Sequence, residues 1–243
     1  MHNIWTIAEK EYKHYFISPI AYVVAFAILV LLGIIFYGSL LFSINSQSAP
    51  SVQVILGPLA TILLFTTPAF TMRSLAEEQR SGTLEILLTA PVRDWEVVIG
   101  KWLGGVLFLL TLMLITWFFP FVLNQLVRPG IDQGLMAAGY LGLFLLASAF
   151  LAIGVMTSSF FSNQIAAFFA ALGIILTFWV VGYPAEAMGS GLGDVLRYLD
   201  FPSHFYPTFY QGLIDLKDVV YYLSVIAVAL FLGSVSVETR RWR

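Results

Sequence analysis

The side chains that could do chemistry are few, and they are not spaced for catalysis. The three histidines, His2, His14 and His204, are far apart in the sequence, and there is no cysteine. The sequence contains no HExxH zinc motif, no Gly-x-Ser-x-Gly nucleophile motif and no GxxxxGK[ST] phosphate loop. We therefore expect no catalytic residue, no metal site and no cofactor in this chain. If the protein performs active transport, the energy must come from a partner.

The densest group of charges lies in residues 73–101, which hold five acidic and four basic residues. The stretch from Leu75 to Arg80 predicts a short helix that stops at Gly82, because glycine adopts positive φ without penalty. Thr83 is then a plausible N-cap for a second helix, and Pro91 ends that helix.

The second helix of this segment has an apolar side and an acidic start. Leu84, Leu87 and Leu88 fall at i, i+3 and i+4 and form one ridge. Glu85 lies in the first turn, where the helix dipole favours a carboxylate. Two interpretations remain open from these residues alone. The segment is an ordinary loop on the membrane face, or it is a helix that presents leucines and carboxylates to another protein.

The elements around this segment must be membrane spans. Of the 243 residues, 59% are hydrophobic and 11% are charged, against roughly 45–50% and about 25% in soluble domains. Long stretches carry no charge, including 59 residues between Lys13 and Arg73 and 53 between Asp132 and Glu186. Since about 20 apolar residues cross a bilayer, the charge-free stretches predict an all-α polytopic protein. Its six predicted spans are approximately residues 21–42, 52–72, 102–123, 138–160, 165–183 and 219–237. Polar breaks within the long stretches are expected at 43–51, at Thr157-Ser158-Ser159 and at 162–164.

The basic residues predict the orientation. With both termini on one side, that side carries nine Lys and Arg residues and the other side carries three. Because basic residues concentrate in the cytoplasm, we expect a multi-pass plasma-membrane protein with cytoplasmic N- and C-termini. The net charge of −2 does not favour nucleic acid as a partner.

The predicted spans contain no Asp, Glu, Lys, Arg or His. Proton relays and ion-coupled carriers place ionisable groups within the bilayer, so an ion-coupled carrier is not expected. The same absence makes an intramembrane enzyme the least favoured interpretation.

Several motifs together resemble the permeases of ABC-2-type transporters, most closely the gliding-motility and nitrous-oxide-reductase-maturation branch. The central part of the likeness is Glu77-Glu78, Gly82-Thr83-Leu84-Glu85, Leu87-Leu88, Pro91 and Gly100-Lys101. Further elements are Ser18-Pro19, Pro68, Met72-Arg73, His204-Phe205, Gly212, Asp215, Asp218, Tyr221 and Arg240-Arg241. The likeness covers nearly the whole chain.

The resemblance implies one transmembrane domain over residues 1–243 that works as the permease subunit of an ABC transporter. Because most transporters of this family are exporters, the resemblance also implies export. Segment 73–99 would be the cytoplasmic coupling segment, which docks on a separate ATP-binding subunit that holds ATP and Mg. The implied coupling residues are Glu77, Glu78, Gly82, Thr83, Leu84, Glu85, Leu87, Leu88 and Pro91. Residues 1–18 would be an interfacial elbow helix, consistent with their amphipathic pattern.

The family pairs two permease copies, with spans one and five at the seam. Span five carries small residues near helical spacing, which permit close helix approach. We take Ala166, Ala170 and Gly173 as seam residues. The same pattern also fits packing within one subunit.

The predicted external segment, residues 184–218, is acidic and rich in aromatic residues, which commonly lie at membrane interfaces. We expect an extracytoplasmic hairpin that closes the outer mouth, with His204 as a structural residue. A different class of function remains as the alternative to transport, namely a non-transporting assembly or scaffold protein with a permease fold.

Overall fold

The computed structural model describes residues 2–47, 49–83, 92–189 and 191–241. It is 84% helical, and no strand occurs in these ranges. The helices in chain order are α1 (His2–Ile17), α2 (Pro19–Ser46), α3 (Gln53–Thr71), α4 (Ala76–Ser81), α5 (Asp94–Thr116), α6 (Phe118–Leu126), α7 (Gln133–Phe160), α8 (Gln164–Val180), α9 (Gly182–Ala187), α10 (Leu192–Leu199), α11 (Phe201–Phe205) and α12 (Leu216–Arg241), with a 3-10 turn at Phe209–Gln211.

Within the described residues, six helical stretches are long and apolar enough to cross a membrane, which confirms the predicted all-α polytopic fold. They are Ala21–Ser46, Gln53–Ser81, Asp94–Leu126, Gln133–Phe160, Gln164–Ala185 and Leu216–Thr239.

Spans three and six begin earlier than the sequence predicts. Span three starts at Asp94 and span six at Leu216, so their first turns include charged residues. Lys101 and Asp218 are both buried there. The helices of these spans therefore carry charged residues ahead of the predicted charge-free stretches 102–123 and 219–237. The physical reason is pairing, since each buried charge has a partner of suitable chemistry on another segment.

The predicted polar breaks are correct except for one. The helix of span one ends at Ser46, and Gln47 takes the left-handed conformation with φ 51°. Residues Thr157, Ser158 and Ser159, predicted as a break, instead continue α7 to Phe160. The hydroxyls of Thr157 and Ser159 donate to the carbonyls of Gly154 and Met156. Hydroxyls that bond to the preceding turn allow a polar run to stay helical.

Helix α7 is the centre of the bundle. In its most apolar window 83% of residues are buried, against 17% for span one and 17% for span five. Three glycines of α7 allow neighbours to approach. A Cβ on Gly139 would lie 3.0 Å from Leu56 Cδ2 of α3, and one on Gly142 would lie 2.5 Å from Phe209 Cγ. Gly154 faces Thr71 at the end of α3.

The bundle has two distinct ends. The basal end, as we name it, consists of α1, α4, the start of α5 and the final turns of α7 and α12. The far end consists of α9 to α11, the 3-10 turn and the connection 127–132. Hydrogen bonds from Gln53 Nε2 to the Tyr210 carbonyl and the Gln211 amide oxygen join the start of span two to the far end. The start of α1 and the end of α12 therefore lie at the same, basal end, as an even number of spans requires.

Candidate functional site

Helix α4 leads directly into the predicted coupling helix. Its last residue is Ser81, and Gly82 follows with φ 72°, which confirms the predicted glycine stop. Glu77 is exposed and Glu78 is partly buried. The Thr83 hydroxyl lies 2.8 Å from the Ser81 hydroxyl. The remaining coupling residues predicted from the sequence, Leu84, Glu85, Leu87, Leu88 and Pro91, lie outside the described residues.

A serine of α7 holds the start of α4. Ser158 Oγ accepts hydrogen bonds from the backbone amides of Leu75 and Ala76, both at 2.9 Å. These amides belong to the first turn of α4 and have no intrahelical acceptor, so Ser158 satisfies them from another span. Gln79 Nε2 donates to the Ser159 carbonyl at 2.8 Å. The base of α4 is therefore fixed to span four.

A buried lysine joins α4 to two other helices. Lys101 Nζ, on α5, donates to Glu78 Oε1 of α4 at 2.9 Å and to Glu11 Oε1 of α1 at 2.7 Å. The side chains of Lys101, Glu11 and Glu78 are 2%, 14% and 22% exposed. We call these three residues the basal charge cluster. One ammonium with two carboxylates gives short charge-assisted hydrogen bonds and a net charge of −1.

Two glycines bring α1 close enough for this cluster to form. A Cβ on Gly100 would lie 2.7 Å from Ile7 Cβ, and one on Gly104 would lie 2.5 Å from Glu11 Cβ. Helix α1 therefore lies directly on α5, with Glu11 beside Lys101. Tyr15 completes the contact by stacking on Phe108, with ring centroids 4.8 Å apart. Burial raises the pKa of the Tyr15 phenol, which keeps it neutral.

The far end contains a second buried polar pair. His204 Nδ1 lies 2.7 Å from Asp218 Oδ1, and His204 Nε2 lies 2.9 Å from the Tyr198 carbonyl. A carbonyl only accepts, so Nε2 carries a proton. The imidazole also stacks on the Tyr221 ring at a centroid distance of 3.8 Å. His204 thus ties α11 to α12 and to the end of α10, which agrees with a structural role.

The predicted seam residues lie on the outward side of α8. Ala167 and Ala171 are buried inside the chain, whereas Ala166 and Ala170 are partly exposed. Gly173 is exposed, and a Cβ built on it would meet no atom within 4 Å. The structure therefore separates the small residues of span five into an inner set and an outer set.

The comparisons with known proteins give this architecture a family. The family described as ABC-2 family transporter protein matches residues 41–216, from the last turn of span one to the first residue of span six. The chain belongs to the ABC-2 transporter family. It is also 28% identical over 192 residues to the probable ABC transporter permease protein NosY of Stutzerimonas stutzeri, covering 74% of this chain and 68% of that protein. The resemblance to an ABC-2-type permease is confirmed, and the chain is a multi-pass membrane subunit of a transporter.

The structure brings together residues at the basal end that the sequence does not assign to a common site. Lys101 belongs to the family-like Gly100-Lys101 pair, and Ser158 belongs to a predicted break between helices. Glu11 lies in the predicted elbow helix and has no predicted role. Positions 11, 78 and 101 show no common periodicity, so a single sequence carries no signal that would have joined them.

Proposed function

We propose that the permease is the membrane half of an ABC exporter, driven by a separate ATP-binding subunit that docks on residues 82–91. ATP and Mg would be bound by that subunit, and this chain contributes no cofactor ligand. The observation that carries the proposal is the position of α4. It ends at Gly82 directly before the leucine ridge, and hydrogen bonds to α5 and α7 fix it in place.

We propose that the permease lies in the plasma membrane and that its basal end faces the cytoplasm. Basic residues support this orientation, since they concentrate at the basal end. Those that the structure describes there with their side chains are Lys10, Lys13, Arg73, Arg80, Arg93 and Lys101. An ATP-binding subunit would then meet residues 82–91 from the side where ATP is available.

Docking is tested by placing a carboxylate on the ridge. We expect Leu84→Asp or Leu88→Asp to abolish co-purification of the ATP-binding subunit, because a charge replaces an apolar side chain at the contact. Membrane insertion should remain, since neither residue lies in a span. Leu192→Asp is the matched control, because Leu192 is an exposed leucine of the far end. Normal co-purification of both ridge variants would reject the docking model.

We propose further that two permease copies pair, with spans one and five at the seam. Both spans have 17% of their apolar window buried in the single chain, so both leave wide apolar faces uncovered. Small residues on the outer side of α8 would let a second copy approach closely.

Cysteine crosslinking tests this seam in a chain that has no cysteine of its own. Single cysteines at Ala166, Ala170 and Gly173 are expected to form crosslinks between chains in the membrane. Ala167→Cys and Ala171→Cys are the controls, because these positions face the interior of the same chain. Equal crosslinking at the inner and outer positions would remove the support for this seam.

Transport itself separates the exporter from a non-transporting assembly or scaffold protein. ATP-dependent vectorial movement of a cargo in inverted vesicles containing the complex would support the exporter. Association with the ATP-binding subunit that never produces such movement would favour the scaffold.

A further inference from the structure

The basal charge cluster is an unusual construction for a membrane subunit. Lys101 is almost fully buried, with 2% of its side chain exposed, and it serves two carboxylates on two different helices. Burying charges costs desolvation energy that pairing only partly offsets, so a buried ion cluster is weak evidence for stability. Fixing a particular geometry is the better-attested use of such groups.

The geometry that the cluster fixes concerns three elements around the coupling segment. Glu11 lies on the elbow helix α1, Glu78 lies on α4 and Lys101 lies on the first turns of α5. Without Lys101, the described side-chain hydrogen bonds of α4 to other elements run only to Ser158 and Ser159 of α7. Among the residues that the structure describes, Lys101 therefore provides the polar connection from α4 to both α1 and span three.

The close contact of α1 and α5 makes this link rigid. The backbone of α1 lies against Gly100 and Gly104, with the Ala8 carbonyl 3.0 Å from the position of a Cβ on Gly104. A displacement of Glu78 would therefore pull on Lys101 and, through it, on α5 and the closely packed α1. Glu78 lies only four residues before Gly82, where α4 ends.

We propose that Lys101 is a positioning residue for energy coupling. It locks α4 to the elbow helix and to the base of span three, so that a displacement of residues 82–91 moves these helices as one body. This proposal rests on the proposed docking of an ATP-binding subunit at residues 82–91.

The informative variant removes the whole cluster rather than one member. Lys101→Met alone would leave two partly buried carboxylates without their cation and would reduce the yield of folded protein. The triple variant K101M/E11Q/E78Q removes all three charges at similar side-chain size. We expect it to fold. We also expect it to retain the ATP-binding subunit, because Glu78 is largely buried, with 22% of its side chain exposed, and lies outside the proposed docking residues 82–91. The control is E9Q/K13M, which removes an exposed ion pair of the same helix α1, with side chains 50% and 66% exposed.

The readout is the distance between spin labels on Lys10→Cys of α1 and Arg80→Cys of α4, measured in the complete complex with and without a non-hydrolysable ATP analogue. In the unmodified cluster and in the control we expect one narrow distance population that nucleotide does not shift. In the triple variant we expect the population to broaden and to shift when nucleotide binds. The broadening is also expected in the permease alone, where it tests the lock independently of where the partner docks.

Three results would overturn the proposal. The first is a triple variant whose distance stays narrow and insensitive to nucleotide. The second is a broadened population without any nucleotide response, which would leave Lys101 with a structural role alone. The third is a nucleotide-induced shift in the unmodified cluster, because α1 and α4 would then not move as one body. Normal co-purification by the Leu84→Asp and Leu88→Asp variants would reject the docking model, whereas the width of the distance population in the permease alone would still test the lock.

Discussion

Gly154→Val is expected to be among the most damaging single substitutions in the bundle. A Cβ at this position would overlap Thr71 Oγ1 and lie 2.7 Å from Thr71 Cβ, at the crossing of α3 and α7. Thr71 cannot turn away freely, since its hydroxyl donates to the Thr67 carbonyl at 3.0 Å within a fully buried site. Inserting extra carbon atoms into a well-packed core lowers the free energy of unfolding by about 1–3 kcal/mol, and we expect a loss at the upper end of this range. The measurement is the midpoint of thermal unfolding in detergent.

The control for this prediction is a glycine without neighbours. A Cβ on Gly173 meets nothing within 4 Å in the single chain, so in the detergent-solubilised monomer Gly173→Ala should leave the midpoint unchanged or raise it slightly, because alanine is the better helix former by about 0.5–1 kcal/mol. The smaller change Gly154→Ala should be partly rescued by Thr71→Ala, which removes the overlapping hydroxyl. A Gly154→Val protein as stable as the unmodified chain would show that the α3–α7 crossing is not tightly packed.

Loss of the Asp218 carboxylate is expected to destabilise the far end by a comparable amount. Asp218 is fully buried, and its Oδ1 lies 2.7 Å from His204 Nδ1. Removing one partner of a buried hydrogen bond leaves the other unsatisfied, at a cost of about 1–3 kcal/mol. Asp218→Ala should therefore lower the unfolding midpoint strongly. Asp218→Asn should lower it less, because the side-chain amide can still form a hydrogen bond with Nδ1, its NH2 donating where Nδ1 carries no proton.

Asp215→Asn provides the matched control three residues earlier. The side chain of Asp215 is 43% exposed, and the backbone amide and ammonium of Lys217 hold the pKa of its carboxyl below the usual value. Exposed pairs of this kind contribute little to stability, so the midpoint should hardly move. Equal effects at the two positions would mean that the His204–Asp218 pair does not hold α11 against α12.

The membrane architecture could be predicted from the sequence because the bilayer imposes a simple rule. Charge-free stretches of sufficient length had to be spans, and their number and breaks followed with the exception of Thr157–Ser159. The break after Ser81 was predictable for a local reason, since Gly82 alone determines it. The spans' ends were less predictable, because helices continue into charged sequence wherever the charges find partners.

The basal charge cluster could not be predicted, for a physical reason of a different kind. Glu11, Glu78 and Lys101 meet only because Gly100 and Gly104 let α1 lie on α5, and because Ser158 fixes the start of α4. Each of these conditions involves residues far apart in the chain. His204 illustrates the same limit, since a structural role was predictable while its buried partner Asp218 was not assigned.

The central position of α7 has a consequence for how the surrounding lipid acts on this protein. In the single chain, span one and span five are uncovered along most of their length, whereas α7 is shielded by other helices over 83% of its most apolar window. Where the proposed seam leaves the outer spans facing lipid, a change in bilayer thickness or fatty-acid saturation would act on them first and would reach α7 only through protein contacts. The outer spans of the permease are thus open to their surroundings in the membrane, whereas the central helix α7 is shielded from them.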